Sequence, residues 1–400
     1  MSSLNTCKLG DLIEFQRGYD LPKSEFKYGP YPVQSSNGIL GFHNEYKVVA
    51  PGITIGRSGT VGLPHLLNIN FFPHNTALFV KDFKGNNVQY IYYLLKQLKL
   101  GDKGTGSGVP TMNRNHLHPL KIKAYRDVNE QEIVAKVLLV IDAKIELNNH
   151  INTELEAMAK TLYDYWFVQF DFPDAYGKPY KTSGGKMVYN AALKREIPVG
   201  WADIKIGKME PNIVTGKTPS TANSDYFNGE IPFITIGDIR GSAFIVKTEQ
   251  TLSIEGANSQ GNKYLPEGAI CVTCIASPGL VGFVTQTSQT NQQINSVICS
   301  NEFNRYFLYF AINEYFAGAK AKTGNTFANM NKGDFSEILV VEPLENIRKL
   351  FHEKIDAVFK EIKIKSQENI RLEQLRDWLL PMLMNGQVKV KDIESNIIVF

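Results

Sequence analysis

The sequence repeats itself once, and that repeat limits the architecture more than any other feature. Thr105-Gly106, five residues, then Met112-Asn113-Arg114 returns as Thr323-Gly324, five residues, then Met330-Asn331-Lys332, with Met112 and Met330 218 positions apart. Asn152-x-x-Leu155-Glu156-x-Met158 returns 217 positions later as Asn369-x-x-Leu372-Glu373-x-Leu375. Gly59-Thr60-Val61-Gly62 aligns with Gly279-Leu280-Val281-Gly282 at an offset of 220, whereas Gly18 and Gly216 differ by only 198. A period this long excludes a solenoid and implies a duplicated domain.

Each copy has the same internal order. A Gly-, Thr- and Val-rich part comes first, with short strands expected at Ile53–Ile55, Ala77–Val80, Pro232–Ile236 and Ile270–Ile275. Helical spacing of apolar residues predicts helices at Val88–Leu100 and Arg305–Tyr315. A long helix follows in each copy. Val128–Phe167 lacks Gly and Pro and repeats Ile133, Val137, Ile141, Ile145, Leu155, Met158 and Leu162. Ile347–Leu380 does the same with Phe351, Ile355, Val358, Ile362, Leu372, Leu375 and Leu379, and is expected to end before Pro381.

Forty helical residues reach about 60 Å at ~1.5 Å per residue, and a narrow apolar stripe of that length needs a partner helix. The second helix is expected to run antiparallel along the first. The fold expected is mixed α/β (α+β): two pseudo-symmetric domains separated by a coiled-coil spacer. Asn152 and Asn369 fall at equivalent places in the stripe. Buried, they would fix the helix register; facing solvent, they would fix nothing.

Bulk properties permit many functions and exclude a few. Four hundred residues imply at least two domains. A net charge of +3 allows DNA binding without arguing for it. No apolar run reaches the length of a membrane span, and the first ten residues lack a signal-peptide pattern, so a cytoplasmic, membrane-free protein is expected. Four cysteines make no disulfide framework.

Chemical motifs are decoys here. Val214-Thr215-Gly216-Lys217-Thr218 resembles the end of a phosphate-binding loop, but its first glycine position is Pro211, which argues against ATP binding. Gly104–Gly108 lacks dinucleotide spacing. Cys271-x-x-Cys274 has no second pair, and strand alternation would put its thiols on opposite faces, so no metal is expected. His116 and His118 read as surface or loop residues. Glu25-Phe26-Lys27 and Glu45-Tyr46-Lys47 lack the strand and upstream Asp of a nuclease, and no Asn/Asp-Pro-Pro-aromatic methyltransferase motif occurs. A non-catalytic binding role is expected.

Two α/β domains on a helical pair resemble the specificity subunits of type I restriction–modification systems. The carriers are Asn129-Glu130-Gln131, the Asn152–Met158 motif, Tyr165-Trp166-Phe167-Val168-x-Phe170-Asp171-Phe172, Lys194–Trp201, and Leu379-Leu380-Pro381-x-Leu383-x-x-Gly386. The chain departs from the family at Arg126-Asp127-Val128, often Pro-Pro-Leu, and at Glu345-Asn346-Ile347, which lacks the Glu-Gln pair.

The resemblance implies target-recognition domains at 1–127 and 201–343, spacer helices at 128–170 and 344–386, a linker at 171–200 and a tail at 387–400. Each domain would read one half of an asymmetric, bipartite double-stranded DNA target. The helices would set the spacing and dock two methyltransferase subunits, with restriction endonuclease/translocase subunits joining for cleavage. S-adenosylmethionine and ATP would belong to those partners, leaving this chain without a cofactor. An adaptor that assembles proteins without reading DNA is the alternative. Loop candidates for DNA contact are Arg17, Lys23, Arg57, Ser58, Lys103 and Arg114, then Lys217, Thr218, Arg240, Asn325 and Lys332. The basic pair Arg114 and Lys332 recurs in both copies, which suits phosphate contact. Tyr163, Tyr165, Trp166 and Phe167 are either a docking surface or, preferably, a core joining helix to domain.

Overall fold

The computed structural model describes residues 4–103, 111–323 and 329–388. It divides into two compact units, Met1–Ile145 with Leu372–Phe400, and Glu146–Arg371. The division falls inside both long helices, so each unit keeps a piece of each. The architecture is mixed α/β.

In the first unit an antiparallel sheet runs Glu14–Arg17, Ala77–Asp82, Gly52–Gly56, Pro64–Leu67. The Gly52–Gly56 strand is buried along its whole length, the polar Thr54 included. The helix Val88–Leu98 packs Tyr90, Ile91, Leu94 and Leu95 onto this sheet in one core with Val134 and Leu138 of the first long helix and Leu380, Leu383 and Met384 of the second. Leu4–Lys8 pairs with Lys121–Tyr125, closing the domain next to the long helix.

The second unit repeats the strand order as Ile213–Thr215, Ile294–Val297, Ile270–Thr273, Val281–Val284, with Phe244–Ile245 added at the edge. Main-chain bonds make the correspondence explicit. Gly18 donates to Ala77 and Gly216 to Ile294; Tyr19 donates to Pro73 and Lys217 to Thr290. Gly62 donates to Gly56 and Gly279 to Thr273. Gly62 and Gly279, 217 positions apart, are therefore equivalent, and the sequence alignment of Gly59 with Gly279 is three residues out of step. Both glycines sit at positive φ, where two similar glycine clusters invite misalignment.

The drift in the early offset has a physical source. His74 donates to Gln34 and Asn291 to Ile234, while Val48 pairs with Phe71 and Leu265 with Ser288. Unit two therefore carries an extra segment between Ile234 and Leu265. That segment supplies the strand Phe244–Ile245, parallel to Val281–Val284, and the helix Ile254–Asn258.

The first long helix runs Val128–Tyr163 and continues as a π-helical turn at Asp164–Val168, so the helical run takes in the expected end at Phe167. Tyr163, Trp166 and Phe167 are buried in the second unit's core, against Phe307, Phe351 and Trp201, while Tyr165 stays partly exposed. The second long helix runs Glu345–Met384, straight through Pro381. Proline costs this helix one N–H donor, but Leu380, Leu383 and Met384 are buried on either side of it, and their burial keeps the turn helical. Of the expected stripe, Ile141, Ile145, Phe351, Ile355 and Ile362 are buried, whereas Met158 and Leu375 are 53% and 43% exposed; Val134, Leu138, Ala159 and Phe359 are buried as well. The Val88 helix ends at Leu98, two residues before the expected Leu100, on left-handed Lys99.

In the second unit the two long helices meet antiparallel. Asn148 Nδ2 donates to Asn369 Oδ1 at 2.9 Å, and Asn152 Nδ2 donates to Ser366 Oγ at 3.1 Å. Asn152 and Asn369 are buried, which decides between the two sequence readings. In the first unit the helices are joined by Arg376 to Asp142 at 2.8 Å, and Tyr93 Oη also donates to Asp142 at 2.7 Å.

Candidate nucleic-acid interface

Close backbone approach builds the candidate site in each unit. In the first unit a Cβ on Gly18 would lie 2.1 Å from the His74 carbonyl oxygen. Only glycine lets the Gly18-Tyr19-Asp20 segment lie directly on Pro73–Thr76. In the second unit a Cβ on Gly216 would lie 2.2 Å from the Asn291 carbonyl oxygen, and the Lys217-Thr218 segment lies on Thr290–Gln293 in the same way.

A polar hollow opens beside the first of these crossings, lined by Gln16, Arg17, Tyr19, Arg57, Asn113 and Arg114. Arg17 pairs with Asp20 at 3.1 Å. Arg57 Nη1 donates to the Asn75 carbonyl at 3.3 Å, and the Arg57 carbonyl accepts from Met112 at 2.8 Å. Arg114 opens the short helix Arg114–Leu117, capped by Asn113, and makes no ion pair among the described residues. Three guanidinium groups thus share one concave, open surface. Ser58 is bridged through its backbone to Thr111 at the edge of the hollow.

In the second unit Thr218 Oγ1 donates to Gln292 Oε1 at 2.9 Å, and Lys217 is exposed beside it. Lys332 opens the helix Lys332–Ser336, capped by Asn331 as Asn113 caps its counterpart, and that helix packs against Ile213–Thr215. The hydrogen bonds pair Arg57 with Cys274, since Met330 donates to the Cys274 carbonyl where Met112 donates to Arg57. The second site therefore lacks the central arginine.

Not every expected residue joins these clusters. Lys23 lies in the exposed turn Lys23–Glu25 and does not line the hollow. Arg240 lies in the segment found only in unit two, lining a separate depression with Asp238, Lys247 and Phe244. Asn325, the Lys103 side chain, the Gly104–Gly108 loop, and the Thr105-Gly106 and Gly324 parts of the repeat lie outside the described residues.

The decoys resolve structurally. Gly216-Lys217-Thr218 follows a strand but leads into loop, without the helix N-terminus a phosphate-binding loop needs. Cys271 faces the small core of Ile234, Ile239 and Leu265, whereas Cys274 faces the main core with Ile270 and Val272, so the thiols point apart. Burial pushes the Cys271 thiol up to about 12, with Ser296 opposing weakly. His118 sits half-exposed in a turn, and its Nε2 accepts the Phe15 N–H at 3.0 Å, pinning the strand that carries Arg17.

Sequence reasoning passed over Asn75, Gln292 and Glu156. Asn75 donates to Asp20, and Gln292 accepts from Thr218; both are ordinary loop amides whose pairing exists only across folded loops. Glu156 lies in the repeated motif and accepts the Ala243 N–H at 3.1 Å, tying the extra segment to the long helix; burial pushes its carboxyl up, opposed by that bond.

Comparison with known proteins agrees with this geometry. The family model of the type I restriction modification DNA specificity domain matches twice, at residues 1–157 and 198–374. The HindI specificity subunit of Haemophilus influenzae is 32% identical over 312 residues, covering 66% of this chain and 68% of that protein. The MjaIX specificity subunit of Methanocaldococcus jannaschii is 24% identical over 318 residues, covering 76% and 70%. The type I restriction–modification S subunit from M. genitalium has the same fold, with a TM-score of 0.59 over 95% of this chain and 96% of that one at 16% identity. The chain belongs to the type I restriction–modification DNA specificity family.

Proposed function

We propose that this chain reads an asymmetric, bipartite DNA target through one interface in each unit. As a specificity subunit it recognises DNA and leaves the chemistry to other chains. The observation that carries the reading is the repeated crossing at Gly18 and Gly216, which gives both units the same platform with different side chains on it. One platform carries Arg17, Arg57 and Arg114; the other carries Lys217, Thr218 and Lys332. Shared basic residues suit phosphates, and unlike neighbours suit unlike half-sites.

The domains assigned are recognition at 1–127 and 201–343, spacer helices at 128–170 and 344–386, a linker at 171–200 and a tail at 387–400. The antiparallel helices act as the ruler between half-sites and as the seat for two methyltransferase subunits. Those bring S-adenosylmethionine, and restriction endonuclease/translocase subunits bring ATP, in the cytoplasm. Arg17, Arg57, Ser58, Arg114, Lys217, Thr218 and Lys332 contact DNA in this reading, with Lys23, Lys103, Arg240 and Asn325 as outlying contacts. The adaptor alternative is not favoured, because the DNA-specificity family model covers both halves.

The test is binding of the complex with its methyltransferase to short duplexes, competed by random DNA, across a salt series. A reader prefers one duplex by at least ~10³-fold and loses affinity steeply with salt. Equal binding to all duplexes would overturn the reading.

A further inference from the structure

We propose that Asn75 and Gln292 are specificity-determining residues, each recognising an adenine in its own half-site. The inference rests on the DNA-reading function above and names the groups that carry it out.

The two amides occupy the same place in the two units. Tyr19 donates its N–H to the Pro73 carbonyl, and Lys217 donates to Thr290. Counting on from each bond, Asp20 faces Asn75 and Thr218 faces Gln292. Both facing pairs are hydrogen-bonded through their side chains. The same cross-link therefore recurs with different chemistry: a carboxylate holding an amide N–H in one unit, and a hydroxyl donating to an amide oxygen in the other.

What each cross-link leaves free matters most. Asn75 Nδ2 spends one N–H on Asp20, which leaves a second N–H and the side-chain oxygen without a partner among the described residues. Gln292 Oε1 takes one hydrogen from Thr218, which leaves a lone pair and both N–H groups without a partner among the described residues. Each amide thus offers an adjacent donor and acceptor. Adenine presents N7 as acceptor and the N6 amino group as donor in the major groove, and one amide meets both at once. Guanine shows two acceptors there and would leave the amide oxygen opposed.

The setting also fits. Neither amide is buried, and both lie on tightly held loops. Asp20 ties Asn75 to Arg17, and the Asn75 carbonyl is held by Arg57, so charges that attract phosphate flank the reading group. Asp20 positions Asn75, and Thr218, besides the DNA contact given to it above, positions Gln292: each removes rotamer freedom before DNA arrives.

The experiment uses the full chain co-expressed with its methyltransferase, mapping methylated adenines in host DNA for wild type, Asn75→Ala and Gln292→Ala. Each variant should relax one position in one half-site, with adenine preference there falling roughly 5- to 150-fold, the worth of one bidentate pair. The other half-site stays unchanged, which also reports that the variant is folded. Asp20→Asn and Thr218→Val should keep the base preferred at that position but lower the methylation level. A wild-type motif kept base for base in both alanine variants overturns this inference alone, as does an even loss across all positions. A wild type with no bipartite motif overturns the DNA-reading function, and the inference with it.

Discussion

Asn148, with no solvent exposure, donates from Nδ2 to Asn369 Oδ1 at 2.9 Å between the two long helices of the second unit. Asn369 in turn donates to Asn149 Oδ1 at 2.8 Å, and Asn148 also donates to Glu368 at 2.9 Å. The amide donors of this cluster are paired in one register only, since sliding either helix strands them, while Asn148 Oδ1 and Asn152 Oδ1 stay without a partner among the described residues.

Asn369→Leu should therefore destabilise the protein by about 1–3 kcal/mol, the cost of leaving buried donors unmatched. The double variant Asn148→Leu/Asn369→Leu should cost less than the sum of the two single variants, because both partners leave together. Urea unfolding of all four proteins measures the coupling. Strict additivity would mean that the two amides do not interact.

His118 gives the first unit a pH dependence. Burial holds its imidazole below the ordinary 6.5, and the charges of Lys84 and Arg114 add to that, with Glu14 opposing. A group whose folded pKa is depressed contributes fully above its unfolded value and loses that contribution as pH falls through the folded one. Stability should hold above about pH 6.5 and decline below it, since protonated Nε2 cannot accept the Phe15 N–H. His118→Asn should flatten the part of this slope due to His118. Thermal unfolding between pH 5 and 8 checks it, and an unchanged slope in the variant contradicts it.

Gly18→Ala and Gly216→Ala should each force apart the loops that build one interface. Overpacking of this kind costs about 1–3 kcal/mol. The recognition defect should be confined to one half-site per variant, read as lost discrimination on duplexes altered in a single half. Equal defects in both half-sites would contradict separate interfaces.

Arg114→Ala and Lys332→Ala should weaken binding of every sequence to a similar degree. Each should lower the slope of log affinity against log salt by about 1, the signature of one lost phosphate contact. A change in base preference instead would make them readers.

Much of this was legible in the sequence, for physical reasons. Long gapless apolar periodicity marked both long helices, and fixed-offset motifs marked the duplication. The helix phase was legible in part: Ile141, Ile145, Phe351, Ile355 and Ile362 of the apolar stripe are buried, whereas Met158 and Leu375 are exposed and Ala159 and Phe359 are buried instead. Helix ends failed where tertiary burial overrode local rules, as at Pro381 between Leu380 and Leu383. The site was half legible. Charge singled out Arg17, Arg57 and Arg114, which line one hollow. Asn75 and Gln292 carry no signal of their own, because their partners Asp20 and Thr218 arrive from distant sequence.

The most direct test of the central claim is to co-express the wild-type chain with its adenine methyltransferase and map every methylated adenine by single-molecule sequencing. One asymmetric motif of two unlike half-sites at a fixed spacing is expected, and exchanging residues 1–125 for those of another family member should change one half-site only. No new methylation despite a stable complex, or a motif with a single undivided half, would contradict it.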